Sequence, residues 1–269
     1  MRRLIFLIRR KSSVKLQLTA ACALVCGIAL RAQTTVPVSQ QVDLSDRSAW
    51  SELFDGKTLA GWDGDPKVWS VQDGSIVGSY NTPSGTRNGG TYLVLKNLTP
   101  ASFELKLEIK LEGEKPDSGI QYRSYLTPPR PDPNPPPQDP RWNMGGYQFD
   151  VHYLDSWTGQ IGENGPRARG ILAKRGQMVK AEAGKPPQLI GDLGSLESLG
   201  KFYKLGEWNQ VYLIVRGHEF IQIINGHVMA ILIDDDATQS RPSGLIGLQC
   251  SGPGTLKVSF RNLWLKEIE

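Results

Sequence analysis

Apolar and charged residues alternate without a break between residues 103 and 111 of this 269-residue chain. Successive side chains of a β-strand point to opposite faces, so this period of two predicts a strand with one buried face and one face in water. The apolar set is Phe103, Leu105, Leu107, Ile109 and Leu111, and the charged set is Glu104, Lys106, Glu108 and Lys110. A strand of this design needs a second layer over its apolar face.

Turn residues divide much of the remaining chain into short segments of the same kind. Asp73-Gly74 lies between two short apolar runs, which is a hairpin signal. Three apolar runs between residues 211 and 233, the last two joined by Asn225-Gly226, predict a three-stranded meander. Only residues 196–203 have a helical pattern, and neither a βαβ alternation nor a nucleotide-binding glycine motif is present. The sequence therefore predicts an all-β fold of two antiparallel sheets, a sandwich or jelly roll.

The first 48 residues differ from the rest in composition. Residues 1–32 combine six basic residues before position 16 with an apolar run at 18–30, which is too short to span a bilayer. This pattern predicts a signal peptide over 1–32, a polar linker over 33–48 and one domain over 49–269. The protein is then exported to the periplasm or the extracellular space, with no stable membrane insertion after processing. An N-terminal membrane anchor is the alternative.

The charge balance argues against nucleic acid as a partner. Seven of the 31 basic residues and none of the 27 acidic residues lie within 1–32, so residues 33–269 carry 24 basic and 27 acidic side chains. Nucleic-acid binding requires a concentrated positive surface, which this balance does not favour. Cys250 is the only cysteine after residue 32, so no internal disulfide is predicted there, and it is interpreted as a small buried residue.

A cluster of polar residues that could take part in catalysis or binding lies on the predicted strand 146–153. Alternation places Gln148, Asp150 and His152 on one face of this strand. An amide, a carboxylate and an imidazole in a row can bind hydroxyl groups and transfer protons. A simple solvated sheet face is the alternative interpretation.

The predicted strand 118–125 has the same design. Gln121, Arg123 and Tyr125 share one of its faces, and the two strands together would combine charged groups, amides and an aromatic ring. Carbohydrates are bound by such mixtures, in which polar groups bind the hydroxyls and rings cover the C–H faces. Trp157 is a nearby aromatic candidate, together with Trp142 and Tyr153.

Two further segments bear on the predicted groove. Glu163 and Arg169 follow the strand 146–153 and are placed at the edges of the groove, with an exposed ion pair as the alternative. Residues 127–140 contain eight prolines in 14 positions and predict an extended segment, either a surface insertion or a stiff rim. No metal-binding motif is found, and Asp234-Asp235-Asp236 lacks the spacing of a calcium loop, which favours a solvated turn.

Eight short motifs, in this order and over nearly the whole length after residue 50, resemble the 3-keto-disaccharide hydrolase domain family. They are LFDGKTLAGW at 53–62, DSGIQYR at 117–123, GYQFD at 146–150, RGILA at 169–173, GEWN at 206–209, ING at 224–226, GLQ at 247–249 and FRNL at 260–263. The resemblance implies a concanavalin A-like jelly roll that acts, as a hydrolase or lyase, on glycosides already oxidised at C3.

The resemblance also implies roles for the candidate residues. A 3-keto group acidifies the C2 proton, so the reaction needs a base, an enolate stabiliser and an acid. Asp150 or His152 is assigned as the base, and Glu163 as the acid. Binding of the oxyanion and of hydroxyls is assigned to Arg123 and Gln148, with Gln121, Arg169 and Trp157 as further substrate-binding residues. Some family members use a divalent metal, for which this sequence offers no secure ligand set.

One position departs from the family pattern. Many relatives carry a histidine shortly after the GLQ motif, whereas Gln249 is followed here by Cys250 and Ser251. A non-catalytic carbohydrate-binding module, which the same fold also supports, therefore stays open as the alternative function.

Overall fold

The alternating segment 103–111 lies inside the strand that runs through the middle of the larger of two sheets. A computed structural model describes residues 49–128 and 140–268 of the chain. The predicted signal peptide, the linker up to residue 48 and most of the proline-rich segment lie outside the described residues. Within the described residues no helix combines the length and the apolar character that crossing a bilayer would require.

The described chain forms seventeen strands and one short α-helix. In chain order the strands are β1 Ser51–Glu52, β2 Trp62–Asp63, β3 Trp69–Gln72, β4 Ser75–Tyr80, β5 Arg87–Leu95, β6 Phe103–Gly113, β7 Asp117–Leu126, β8 Met144–His152, β9 Ile161–Asn164, β10 Ile171–Ala173, β11 Gln177–Glu182, β12 Gln188–Asp192, β13 Asn209–Arg216, β14 Glu219–Ile224, β15 His227–Asp235, β16 Leu245–Pro253 and β17 Leu256–Glu267. The helix α1 spans Leu196–Gly200, and short 3-10 turns lie at Pro140–Trp142 and Asp155–Trp157.

The strands form two sheets that pack as a jelly-roll sandwich. The ten-stranded sheet has the order β12-β11-β15-β14-β13-β6-β17-β4-β3, with β1 paired to β17. The seven-stranded sheet has the order β10-β9-β8-β7-β16-β5-β2. The predicted all-β jelly roll is therefore confirmed. One pair departs from the antiparallel pattern, because β11 and β15 run parallel, which the long connection between them through β12, α1, β13 and β14 permits.

Local sequence signals account for the hairpins. Asp73 and Gly74 both have positive φ, at 49° and 71°, and join β3 to β4. Asn225 and Gly226 repeat this conformation, at 48° and 80°, between β14 and β15. Two successive residues with positive φ match the twist of a two-residue hairpin, and Asn, Asp and Gly tolerate it best. The predicted meander is confirmed as β13, β14 and β15.

The core lies between the two sheets. The five apolar residues of 103–111 are all buried in it, and the buried Cys250 also belongs to it. The seven-stranded sheet contributes Tyr147, Phe149 and Val151 of β8, each with an exposed fraction of 0%. Because side chains alternate along a strand, the residues between them face away from the core. We call that side of the seven-stranded sheet the outer face.

Candidate functional site

The outer face brings together four of the residues predicted from the sequence. Strands β7 and β8 are antiparallel neighbours, and Gln121 lies opposite Gln148. Asp150 and His152 follow at intervals of two along β8, so all four share the outer face. The prediction that both strands contribute to one polar face is therefore confirmed for these residues.

Three side-chain amides, those of Gln121, Gln148 and Gln249, form a row across the middle of the outer face, which we call the amide row. Nε2 of Gln121 donates to Oε1 of Gln148 over 2.7 Å, and Nε2 of Gln148 donates to Oε1 of Gln249 over 2.8 Å. Gln249 in turn donates to the Tyr92 hydroxyl, and Asn164 of β9 donates to Oε1 of Gln148. Gln121 and Gln148 are buried and hydrogen-bond to one another, so their side chains form a rigid part of the outer face. Their predicted binding of sugar hydroxyls stays a prediction.

Asp150 lies beside this row, and the pKa of its carboxyl group is raised. Its Oδ2 atom accepts a hydrogen bond from Nε2 of Gln160 over 2.7 Å. Burial raises the pKa of Asp150 to about 7, because a charged carboxylate loses its hydration there, and the hydrogen bond from Gln160 opposes this rise. The charge of Asp117 raises it further. A carboxyl group with a pKa near 7 can act as a base at neutral pH.

Asp117 is a second carboxyl group of the same kind. It starts β7, lies directly opposite His152 and shares the outer face with Asp150. Burial raises the pKa of Asp117 to about 7, against the opposing hydrogen bonds from Ser251 and from the Ser118 backbone. Sequence reasoning missed this residue, although its spacing of four from Gln121 places it on the same strand face. The outer face therefore carries two partly buried carboxyl groups that titrate near neutrality.

His152 has a different character from the one predicted. Its Nδ1 atom accepts the backbone N–H of Leu154 over 2.8 Å, so the proton of the neutral ring is on Nε2. Burial lowers the pKa of His152 to about 4. With Nδ1 occupied and Nε2 protonated, His152 is a hydrogen-bond donor at neutral pH. This geometry does not support His152 as the base, and the assignment of Asp150 to that role stays a prediction.

An aromatic surface borders the carboxyl groups. The ring of Trp157 stacks on the His152 ring with 5.2 Å between the centroids, and Tyr153 packs against the same imidazole. Trp157 nevertheless keeps 51% of its surface exposed. An exposed indole held in a fixed orientation can cover the C–H face of a sugar ring. Its predicted substrate contact stays a prediction.

Arg123 does not reach the outer face, which contradicts the prediction. It has φ +43° at a bulge where the pairing of β7 and β8 shifts between Tyr122 and Tyr125. A bulge interrupts the alternation of side chains. The guanidinium donates to the carbonyl oxygens of Ala101 and Gly217 at 2.8 Å, and it packs over the Phe220 ring. Arg123 therefore ties loops of the other sheet to β7.

Glu163 and Arg169 form a buried ion pair at the core side of β9. Glu163 lies opposite Tyr147, whose ring faces the core, so its side chain leaves the strand on the side away from Asp150. Both of its carboxylate oxygens accept from Arg169. Because Arg169 occupies both oxygens and the side chain lies away from Asp150, the geometry does not support the assignment of Glu163 as the general acid. The exposed ion pair considered as an alternative is also wrong.

Arg169 is the centre of a larger network rather than a ligand-binding group. It donates to both oxygens of Asp234, at 2.9 and 2.7 Å, and reaches Asp236 at 3.5 Å. Burial lowers the pKa of Arg169, but the hydrogen bonds to Glu163 and Asp234 outweigh this and raise it overall. The predicted solvated turn at 234–236 is wrong for Asp234 and Asp236, which are buried. The predicted substrate-binding role of Arg169 is not supported, because these carboxylates occupy its donors.

The described residues do not fit a divalent metal. Over 49–128 and 140–268 no three side chains of histidine, cysteine, aspartate or glutamate converge as a set of ligands. Asp117, Asp150 and His152 share a face, but the Nδ1 atom of His152 is already occupied by the Leu154 N–H.

The sequence of residues 49–266 matches the model of one protein family, the 3-keto-alpha-glucoside-1,2-lyase-like domain. The chain belongs to this family. The suspected family is thereby confirmed, and its match covers the whole sandwich that carries the outer face. The family is a carbohydrate-active one, which fits a carbohydrate as the partner.

Solved structures with a related architecture resemble this 3-keto-alpha-glucoside-1,2-lyase-like domain at low identity. A putative glycosyl hydrolase from Parabacteroides distasonis is 19% identical, with 81% of this chain and 99% of that chain covered and a TM-score of 0.48. A carbohydrate-binding module from Bacillus subtilis is 11% identical, with 77% and 96% covered and a TM-score of 0.48. A Bacillus subtilis protein of unknown function with a galectin-like fold is 13% identical, with 78% and 90% covered and a TM-score of 0.49. No curated protein matches the chain.

The departure from the family pattern lies next to the carboxyl groups of this 3-keto-alpha-glucoside-1,2-lyase-like domain. Ser251 of β16 lies opposite Asp117, and its side chain hydrogen-bonds to the Asp117 carboxyl group. Cys250 points the other way, into the core, where burial raises the pKa of its thiol. The segment where the family resemblance leads us to expect a histidine therefore supplies a hydroxyl beside Asp117.

Proposed function

We propose that this protein cleaves 3-keto-glycosides, as a hydrolase or lyase, on the outer face of its seven-stranded sheet. The observation that carries the proposal is the pair Asp117 and Asp150, two neighbouring carboxyl groups whose pKa values burial raises to about 7. Two interacting groups of this kind share one proton around neutral pH, so one acts as acid while the other acts as base.

The reaction follows from the acidity of the C2 proton beside a C3 ketone. The Asp150 carboxylate takes this proton, and the electrons of the C2–H bond form the enolate of C2 and C3. The enolate then expels the substituent at C1, and the leaving oxygen takes the proton of Asp117 as the C1–O bond breaks. In a hydrolase, water afterwards adds its hydroxyl group to C1 and a proton to C2.

His152 replaces Arg123 as the group that stabilises the enolate. Its neutral ring carries a proton on Nε2, and no described residue accepts a hydrogen bond from that atom. A neutral donor is well matched to a developing enolate oxygen, since it adds no positive charge that would lower the basicity of Asp150. Trp157, stacked on the same imidazole, supplies the apolar surface for the sugar ring.

The amide row acts as a support under these groups. Gln148 is fixed by Gln121, Gln249 and Asn164, so its backbone neighbours on β8 hold a constant position. Fixed geometry is what a proton-transfer site requires, because misplacement of the base by 1 Å removes much of the rate.

The test compares the purified protein on a 3-keto disaccharide and on the same disaccharide with an ordinary hydroxyl at C3. We expect cleavage of the oxidised sugar only, because only a ketone acidifies C2. Equal cleavage of both sugars contradicts the proposed mechanism. Binding of both without cleavage of either favours a carbohydrate-binding module, the second candidate. Cys250 and Ser251, which stand where the family resemblance leads us to expect a histidine, support this candidate.

The proposed location of this activity is outside the cytoplasm, in the periplasm or the extracellular space. The basic residues before position 16 and the apolar run at 18–30 support a cleaved leader. N-terminal sequencing of the protein purified from the native cell envelope should find a chain that begins near Gln33. A chain that starts at Met1 in that fraction contradicts cleavage and favours an anchor.

A further inference from the structure

A cavity of about 430 Å³ lies where β8 begins, beyond the amide row. Its size falls within the range of about 300–1,000 Å³ that is typical of small-molecule sites. Gly146 belongs to its wall with φ +132°, and a side chain at that position would collide with Ser124. The wall also includes Tyr125, Asn164, Arg167, Gln239 and Arg241.

Two arginines of this wall have no carboxylate partner among the described residues. Among the ion pairs of the described residues, none involves Arg167 or Arg241. The Arg241 guanidinium lies over the Tyr125 ring at 4.4 Å from its centroid. Its Nε atom is buried and has no hydrogen-bond partner within the described chain. A buried donor without an acceptor is unfavourable, so this atom favours a ligand that brings one.

The carboxylate in the wall does not neutralise these arginines. Glu163 lines the cavity, but Arg169 occupies both of its carboxylate oxygens. The buried Asp234 is held by the same Arg169 and does not line this cavity. The charge available to a ligand is therefore positive and comes from Arg167 and Arg241.

Asn164 and β8 link the cavity to the proposed reaction site. Asn164 lines the cavity and also donates to Gln148 of the amide row. Gly146 precedes Asp150 by four residues on β8, which corresponds to roughly 13 Å at the rise of a strand. A saccharide that reacts at Asp150 and extends along β8 therefore reaches the cavity with a more distant part of its structure.

We infer that this cavity is a subsite for an acidic group on the carbohydrate, a carboxylate such as that of a uronic acid. The inference rests on the proposed carbohydrate function and adds a substrate class to it. Arg167 and Arg241 bind the carboxylate, since guanidinium groups pair with carboxylates through charge-assisted hydrogen bonds. Tyr125, held under Arg241, closes the site on the side of β7.

Isothermal titration calorimetry with two matched probes tests the inference. Methyl glucuronide carries the carboxylate, and methyl glucoside is its neutral counterpart. Neither is a 3-keto sugar, so the result does not depend on turnover and separates this inference from the proposed reaction. We expect the glucuronide to bind at least about tenfold more tightly than the glucoside at low salt, and less tightly as salt rises.

Variants of the two arginines test whether these side chains bind the carboxylate of the glucuronide. Arg167→Gln and Arg241→Gln should each weaken glucuronide binding by about tenfold or more, and Arg241→Lys should weaken it less because the charge is kept. Arg216→Gln removes the same charge from an exposed position on β13 and should change nothing. Thermal denaturation of each variant verifies the fold.

Two outcomes overturn the inference. Equal affinity for glucuronide and glucoside, or glucuronide binding that neither arginine variant weakens, removes the acidic subsite. Sodium sulfate binding as tightly as the glucuronide shows an unspecific anion site rather than one for an acidic sugar. Each of these results leaves the cleavage of 3-keto-glycosides as an independent question.

Discussion

Gly119 lies directly opposite Asp150 in the antiparallel pair of β7 and β8, so the neighbouring strand places no side chain over the Asp150 carboxyl group. A methyl group at Gly119 would lie 2.6 Å from Nε2 of Gln148 and 2.6 Å from the carbonyl oxygen of Phe149. Both distances are far shorter than ordinary van der Waals contacts. The absence of a side chain at Gly119 therefore allows the amide row and the carboxyl pair to occupy one face.

Gly119→Ala should lower the free energy of unfolding by about 1–3 kcal/mol, because overpacking of a closed site moves the Phe149 backbone or the Gln148 amide. Gly162→Ala on the adjacent β9 is the control, since its methyl group would meet nothing closer than 3.5 Å. Urea denaturation of both variants measures the difference. Equal stability of the two variants would show that β7 adjusts without strain.

Asp150→Asn should lower kcat on a 3-keto disaccharide by about 10²–10⁴, the usual loss for a positioned base. Asp117→Asn should reduce kcat for a substrate with a poor leaving group more than for one with a good leaving group, because only the former needs the acid. Asp73→Asn makes the same change in an exposed hairpin turn and serves as the control. Steady-state kinetics decide, and a kcat of Asp150→Asn near that of the wild type removes Asp150 from the mechanism.

The pH dependence of stability should report the same two groups. Their folded pKa values of about 7 exceed the ordinary value of 3.8, so the folded chain binds more protons than the unfolded chain between these limits. Stability contributed by the protonated groups is therefore lost as pH rises from about 4 through 7. Denaturation at pH 5 and pH 8 should show a smaller loss in Asp150→Asn than in the wild type. An identical loss in both would mean that Asp150 titrates normally.

Arg169→Leu should destabilise the fold by about 3–5 kcal/mol, because it leaves the buried Asp234 and Glu163 without their counter-ion. Arg261→Leu breaks a partly exposed pair with Glu108 and should cost only about 0–1 kcal/mol. Chemical denaturation compares the two variants. A stable Arg169→Leu variant that had lost only substrate affinity would restore Arg169 to the predicted role in binding.

Arg123→Lys should reduce thermal stability and leave KM unchanged. A lysine keeps the charge but cannot reproduce the fork that reaches the Ala101, Gly217 and Arg241 carbonyl oxygens. Differential scanning calorimetry together with KM on a 3-keto disaccharide separates the two effects. An increase in KM at unchanged stability would show that Arg123 contacts the substrate after all.

Short-range patterns in the sequence are enough to predict the strands and most of the polar face. The period of two over 103–111 predicts β6, and Asp73-Gly74 and Asn225-Gly226 predict two hairpins, because strand alternation and turn conformation are properties of a few adjacent residues. The same local rule places Gln148, Asp150 and His152 together, since residues two apart on a strand share a face wherever that strand lies.

Which of these groups are chemically available depends on contacts between distant parts of the chain. A bulge, at which Arg123 has a positive φ, turns the Arg123 side chain away from the outer face. None of the residues around Arg123 in the sequence predicts this bulge. The Glu163 carboxylate is occupied because Arg169 reaches it, and Arg169 is fixed by Asp234, 65 positions further along the chain. The pKa values of Asp117 and Asp150 depend on how much water the packed strands exclude. Burial and long-range pairing are sums over residues distant in sequence, which no short pattern contains.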